Sequence, residues 1–189
     1  MTKTALRTIY KQKRRDIPGK EKLRMDDLLL IQFQQMYFPG VAILLTYWPS
    51  DTHIEPNTHL FSGFLRHTIP GLQIAYPVID NTTGTFNAVL VDEDTSYITN
   101  SYGITEPKRG IIIEPHEIDL VFVPLLICDM HGYRVGFGKG FYDKYLVACH
   151  EDVVKVGFNY FDPVDKIDDT QPFDVPLDYC VTTDNIYEF

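Results

Sequence analysis

Cysteine is scarce in this chain. The three present, Cys128, Cys149 and Cys180, are an odd number without C-x-x-C spacing. Neither a disulfide framework nor a thiolate zinc cage is indicated, and buried reduced thiols are the expected state. The six histidines form no H-E-x-x-H or other close pair, so a histidine metal site is not expected. No apolar run approaches the roughly 18 residues that cross a bilayer. The opening stretch MTKTALRTIYKQKRR also has no apolar segment behind its charges. A cytoplasmic protein with no membrane partner is expected. Internal repeats, low-complexity tracts, G-x-S-x-G and a Cys–His nucleophile signature are all absent as well.

What is present is a chain of 189 residues, 44% hydrophobic, which suits one well-buried domain over 1–189. The net charge of −9 argues against a nucleic-acid partner. The positive charge is nevertheless gathered at one end: nine of the 17 Lys and Arg lie in residues 1–24, against only Asp16 and Glu21. In that segment Thr2 is placed to cap a helix reaching about Arg15. Ala5, Leu6, Ile9 and Tyr10 fall on one side, and Lys3, Arg7, Lys11 and Arg14 recur at i+4 and i+3 steps on another. That charged stripe is either a solvated face or a binding surface.

Helical and strand patterns then alternate. Helices are expected over 19–37, 56–67 and 140–148, and strands over 41–48, 72–79, 86–92, 120–128, 153–159 and 179–183. Continuous apolar runs such as LVFVPLLIC (120–128) suit strands covered on both faces. The expected fold is α/β, a three-layer sandwich with a largely parallel or mixed open sheet and helices on both faces. Ligands are expected at the carboxyl ends of the strands.

The stretch GYRVGFGKGFYDKYL (132–146) follows the 120–128 strand and enters a helix. Gly136, Gly138 and Gly140 can take positive φ and turn backbone N–H groups toward an anion, with Lys139 inside the turn. It is not a Walker A loop, since the required Gly and Ser/Thr positions hold Tyr133 and Gly140. Nor is it G-x-G-x-x-G. A turn needed only for tight strand-to-helix packing is the competing reading. Arg134 and Lys139 could carry phosphates, with Asp129 and Asp143 nearby and Asp143 one turn into the helix as a magnesium-holding carboxylate.

VFVPLLICDMHGYRVGFGKGFYDKYL (121–146) resembles the signature of the 5-formyltetrahydrofolate cyclo-ligase family, without a gap. KTALR (3–7), HIEPNTHLF (53–61), YPVI (76–79), GITEP (103–107) and FDVPLDYCVTTDNI (173–186) resemble other family elements in the same order. Phe173 stands where the family commonly has His. The resemblance implies ATP contacts at Lys3, Arg7, Arg134, Gly136, Gly138, Lys139, Gly140, Phe141 and Tyr142. It implies magnesium at Asp143 and Asp174. It also implies a reduced-folate pocket including Glu55, Phe137, Gly138, Lys139, Gly140 and Phe141, with Tyr47 or Trp48 stacking the pterin. The expected ligands are MgATP and 5-formyltetrahydrofolate, with or without a polyglutamate tail, bound to a monomer.

By residue type alone, Glu55 before Pro56 is equally a helix-dipole partner, Tyr47 and Trp48 equally core aromatics, and Glu106 equally a turn residue. The implied reaction phosphorylates the formyl oxygen so that N10 can close the ring. Lys139, Arg134 and Asp143 would hold the phosphoryl group, work that needs positioning rather than a nucleophile. A nucleotide-binding module without turnover and a sugar-phosphate isomerase or transferase are the other readings of the same α/β pattern.

Overall fold

The Thr2 hydroxyl accepts a hydrogen bond from the Ala5 amide (3.3 Å) and opens helix α1, Lys3–Arg15. Lys13, Arg14 and Arg15 in its last turn complement the negative end of the helix dipole. The computed structural model describes residues 1–189. Helix α2, Gly19–Phe33, starts after Pro18, whose lack of an N–H costs nothing there. It stops short of the expected 37, because the chain tightens into i→i−3 bonds from Gln35 to Gln32 and from Met36 to Phe33, each 3.0 Å. Helix α3, Thr58–Thr68, is capped by the Asn57 side chain.

The strands in chain order are β1 (Ile43–Leu45), β2 (Gln73–Asp80), β3 (Thr85–Val91), β4 (Tyr97–Thr99), β5 (Thr105–Pro107), β6 (Ile111–Ile113), β7 (Leu120–Val123), β8 (Ile127–Cys128), β9 (Arg134–Val135), β10 (Val154–Phe158), β11 (Tyr179–Val181) and β12 (Ile186–Glu188). Helix α4, Phe141–Leu146, lies between β9 and β10. Eight strands form one sheet in the order β12-β11-β10-β7-β1-β2-β3-β6. The middle five run parallel. β12, β3 and β6 each pair antiparallel with the strand inside them.

Alternating side chains give this sheet two apolar faces. Leu44, Ile74, Tyr76, Leu120, Phe122, Val156 and Phe158 pack against Leu29 and Phe33 of α2 and Phe61 and Leu65 of α3. Leu45, Ala75, Val121, Val123 and Cys180 face the other way, toward Tyr145 and Leu146 of α4. Three layers result, as expected from the continuous apolar runs. No helix is long and apolar enough to cross a membrane.

Two expected elements differ. The run 120–128 is two strands rather than one, because Pro124 has no amide to continue the ladder and the chain leaves the sheet there. The helix expected over 140–148 is only six residues long. The short strands β4, β5, β6, β9 and β12 carry too few residues for a period to show.

The main consequence lies at the carboxyl ends of β7 and β10. Beyond Pro124, β8 and β9 form a small hairpin that projects from the sheet. Helix α1 lies on it, with Leu6 and Tyr10 buried among Leu126, Ile127, Val135 and Ile167. The N-terminal helix therefore spans the end of the sheet where ligands of α/β folds bind.

Candidate active site

The glycine turn is built by this hairpin. Asp129, almost fully buried, accepts from the amides of His131 and Tyr133 (3.0 Å each) and of Ile167 (2.9 Å). It is thereby committed to holding the hairpin turn and is not available to a ligand. β9 then delivers residues 136–140 to the start of α4. Gly138 and Gly140 have φ of 97° and 69°, a backbone that side chains rarely adopt. Gly136 does not share it, contrary to the expectation of three such positions. The N–H groups of Gly136, Phe137, Gly138, Lys139 and Gly140 make no backbone hydrogen bond within the protein. Successive backbone amides left free in this way are what an anion-binding turn requires. Because α4 is so short, the positive field over this turn comes from side chains rather than from a long helix dipole.

Those side chains belong to α1. The stripe Lys3, Arg7, Lys11 and Arg14 faces the protein, not solvent. Arg7 Nε donates to the Gly136 carbonyl oxygen (3.0 Å), and its guanidinium lies over Gly138. Lys11 Nζ sits 5.9 Å from the centre of the Phe137 ring, on which His53 also packs. Lys139 is exposed, in no ion pair, with its ammonium 5.6 Å from the centre of the Tyr102 ring. It is free to swing onto a ligand.

A second charged group closes the turn from below. Lys3 is paired with the Asp174 carboxylate, and Gln171 N donates 2.6 Å to the same oxygen. Buried Arg134 donates to Asp143 Oδ1 (2.8 Å) and to the Val175 carbonyl. Val175 N donates to the same Asp143 oxygen (3.2 Å). Burial pushes the Arg134 pKa down, and the charges of Asp143 and Asp174 oppose that shift. Asp143 and Asp174, which the family resemblance pairs on one metal, are thus brought to one place. Asp143 Oδ2 and Asp174 Oδ1 are left without a protein hydrogen bond. No group of three His, Cys, Asp or Glu side chains is arranged to hold a metal ion. A magnesium ion arriving on phosphates fits such a place, since it needs only one or two carboxylates and takes its other ligands from phosphate and water.

The aromatic candidates separate. Trp48 is half-buried in a cluster with His59, Tyr76 and Tyr97, at 4.6, 6.2 and 4.9 Å between ring centres. Tyr47 is buried in the main core, and its carbonyl accepts from Thr58 Oγ1 (2.6 Å). Burial raises its pKa, and Glu55 raises it further. Glu55 is 6% exposed and takes a hydrogen bond on Oε2 from Ser50 N (2.8 Å). Burial lifts its pKa to about 7; the Ser50 amide, Arg14 and Lys22 hold it from going higher. Of Tyr142, the ring packs on Phe86, while the buried hydroxyl has no partner and feels Glu55. Phe141 is half-buried, and its carbonyl accepts from Thr85 Oγ1 (3.1 Å). The charge of Glu55 thus reaches both Tyr47 and Tyr142, which places the three in one electrostatic neighbourhood.

Glu106 lies elsewhere. It is buried and accepts from Ile79 N (3.1 Å) and Asn100 Nδ2 (2.9 Å), tying β5 to β2. Phe173 is 67% exposed in the turn before Asp174, so its replacement of histidine leaves the carboxylate in place. Two residues of the site escaped the sequence reading. Tyr102 carries no signal beyond its turn, SYG. Arg14 is visible only as one more cation on the stripe, though it is the one fully buried there.

The 5-formyltetrahydrofolate cyclo-ligase family profile matches residues 2–183. A 5-formyltetrahydrofolate cyclo-ligase of Mycoplasma pneumoniae is 29% identical over 185 residues, 96% of this chain and 98% of that protein. One of Mus musculus is 27% identical over 161 residues, 80% of this chain and 77% of that protein. Among solved structures, a 5,10-methenyltetrahydrofolate synthetase of Mycoplasma pneumoniae superposes with a TM-score of 0.73 at 26% identity, covering 96% of this chain and 98% of that one. That of Aquifex aeolicus superposes with a TM-score of 0.80 at 24% identity, covering 100% and 93%. The latter speaks for the fold alone.

Proposed function

The chain belongs to the 5-formyltetrahydrofolate cyclo-ligase family, and on that premise we propose that it closes 5-formyltetrahydrofolate to 5,10-methenyltetrahydrofolate at the expense of ATP. The observation that carries this reading is the free-amide turn at 136–140, held to Arg7 of α1 and packed through Phe137 against His53, two residues before the buried Glu55. Phosphate and a flat, donor-bearing substrate would meet across the same backbone. Here the glycines have a second use beyond φ: they let two ligands approach from opposite sides.

The N5-formyl group is an amide, whose carbon is a poor electrophile and whose oxygen leaves badly. Attack of the formyl oxygen on the γ-phosphorus breaks the bond to the bridging oxygen and releases ADP. N10 then attacks the formyl carbon, the carbon–oxygen bond breaks, and inorganic phosphate leaves with that oxygen while N10 gives up its proton to phosphate or water. Phosphoryl transfer of this kind asks for alignment and charge.

The 136–140 amides, Arg7 and Lys139 would align the γ-phosphoryl and take up charge as it moves. Lys3 would reach the phosphates by exchanging its Asp174 partner. Arg134, spent on Asp143 and Val175, would act by fixing the Asp143 carboxylate rather than by touching ATP. Magnesium, held at the free oxygens of Asp143 and Asp174, would neutralise phosphate charge when bound. Glu55 would bind donors of the pterin ring, and half-exposed Trp48 or buried Tyr47 would flank it. The three free thiols suit a reducing cytoplasm.

The test mixes the purified protein with 5-formyltetrahydrofolate and MgATP and follows the absorbance of the methenyl product, with ATP omitted as the control. Product formed only with ATP supports the reading, and none in either case defeats it.

A further inference from the structure

Arg14 is a charged side chain with only 1% of its surface exposed. One terminal nitrogen, Nη2, donates to the Leu125 carbonyl (2.6 Å) and faces Asn159 Oδ1 at 3.5 Å. Nε and Nη1 are buried without a partner, and no carboxylate approaches within ion-pair distance. A buried guanidinium left this way is costly, because water has been removed from it and nothing replaces its hydrogen bonds. The guanidinium carbon lies over the Tyr160 ring, 5.9 Å from its centre.

The surroundings of those two N–H groups are informative. Thr46 Oγ1 after β1, Asn159 Nδ2 after β10 and the Tyr142 hydroxyl behind the glycine turn are likewise buried without partners. Thr46 and Asn159 stand at the carboxyl ends of the parallel strands β1 and β10, where Arg14 of α1 reaches Asn159, and Tyr142 stands in the first turn of α4. The carboxylate felt most strongly by Arg14 is Glu55, and each stabilises the charge of the other. Geometry joins the two: Tyr160, whose ring lies 5.9 Å from the Arg14 guanidinium carbon, donates from its hydroxyl to the Glu55 carbonyl (3.2 Å), so unsatisfied donors of Arg14 lie in the same neighbourhood as the Glu55 acceptor. The complementary ligand edge is a lactam, with a carbonyl oxygen next to an N–H, the edge that guanine also presents to arginine and carboxylate side chains.

We propose that Arg14 is a specificity-determining residue, binding the ring carbonyl of the pterin while Glu55 takes the neighbouring N–H donors. The proposal rests on the folate reading above and goes beyond it by assigning the orientation of the ring. It also gives α1 a double role: Lys3 and Arg7 serve the phosphates, and Arg14, two turns further on, serves the heterocycle.

A matched pair of ligands separates the roles: 5-formyltetrahydrofolate, with its 4-oxo group, and its 4-amino-4-deoxy analogue, which sets a donor against the Arg14 N–H groups. Calorimetric titration of the wild-type protein is expected to favour the 4-oxo compound by tenfold or more. In Arg14→Gln the preference falls toward unity through loss of 4-oxo binding, with the 4-amino compound little changed. Arg14→Lys, which keeps the charge without the planar fork, is expected to show the same narrowing.

Independently of whether these variants fold, the ¹⁵N–¹H signal of Arg14 Nε in labelled wild-type protein should move with the 4-oxo ligand and stay with the 4-amino one. A wild-type preference that survives both substitutions, or an Nε signal that responds equally to both ligands, overturns the assignment while leaving the folate reading intact. Failure of the wild type to bind either compound overturns both.

Discussion

Arg7 Nε donates to the carbonyl oxygen of Gly136 across 3.0 Å, fastening the first helix to a loop far along the chain. The contact places a cation over backbone amides that find no acceptor within the protein. Arg7→Ala is expected to raise the KM for ATP about tenfold or more, since a charge-assisted phosphate contact is lost. The folate KM should stay near its wild-type value. Steady-state kinetics with each substrate varied in turn checks this.

Gly138 holds φ at 97°, with the Arg7 guanidinium 3.5 to 3.7 Å from where a Cβ would lie. Space is therefore adequate, and the strain is in the backbone. Gly138→Ala is expected to cost about 1–3 kcal/mol of stability and to weaken ATP as the turn relaxes. Thermal melting with and without nucleotide separates the two effects: the variant should melt lower and gain less from ATP.

Lys139 has no ion-pair partner and rests over the Tyr102 ring. A group that engages only as charge moves contributes to the transition state, so Lys139→Ala is expected to lower kcat, on the order of 10²-fold. A rise confined to the folate KM, with kcat unchanged, would show that the lysine merely binds substrate.

Asp143 Oδ1 is shared by Arg134 and Val175 N, leaving Oδ2 open. Asp143→Asn preserves the shape and removes the charge. The magnesium concentration for half-maximal activity should rise severalfold, and an unaltered magnesium titration would move the ion elsewhere.

Burial raises the Glu55 pKa from 4.5 to about 7. A carboxyl whose folded pKa is raised holds its proton more tightly in the folded state, so its contribution is fully present below about pH 4.5 and is lost as pH rises through about 7. The loss amounts to at most about 3 kcal/mol. Glu55→Gln should therefore flatten the stability profile between those pH values and melt higher than the wild type near pH 8. Denaturant titrations at pH 5 and pH 8 measure the difference; equal slopes in the two proteins would mean that Glu55 titrates normally.

The central strands, the three layers and the glycine turn could all be read from the sequence because each leaves a local signature: a continuous apolar run, a switch of period, a repeated missing side chain. The same rule explains what could not be read. The run 120–128 conceals the bend at Pro124, since residues on both sides of it are apolar for different reasons, the first four in the sheet core and Leu126 and Ile127 under α1. Arg14 looks like its neighbours Lys13 and Arg15 until the fold buries it alone. The stripe Lys3, Arg7, Lys11 and Arg14 was visible as a stripe, but which way it faced depends on the hairpin β8–β9, a long-range contact. Asp129 stood near the turn without a visible role, because one of its three amide partners, Ile167, comes from far along the chain while the other two, His131 and Tyr133, are local.

The central claim is that nucleotide phosphates lie on the amides of residues 136–140, beneath Arg7. A crystal structure with a non-hydrolysable ATP analogue and magnesium tests it most directly. The account predicts phosphate oxygens within hydrogen-bond distance of the Gly138, Lys139 and Gly140 amides, with Arg7 and Lys3 turned onto them. Phosphates bound away from this turn, for example in the acidic cleft of about 310 Å³ that Glu151, Asp152, Asp178 and Glu188 help to line, would contradict it.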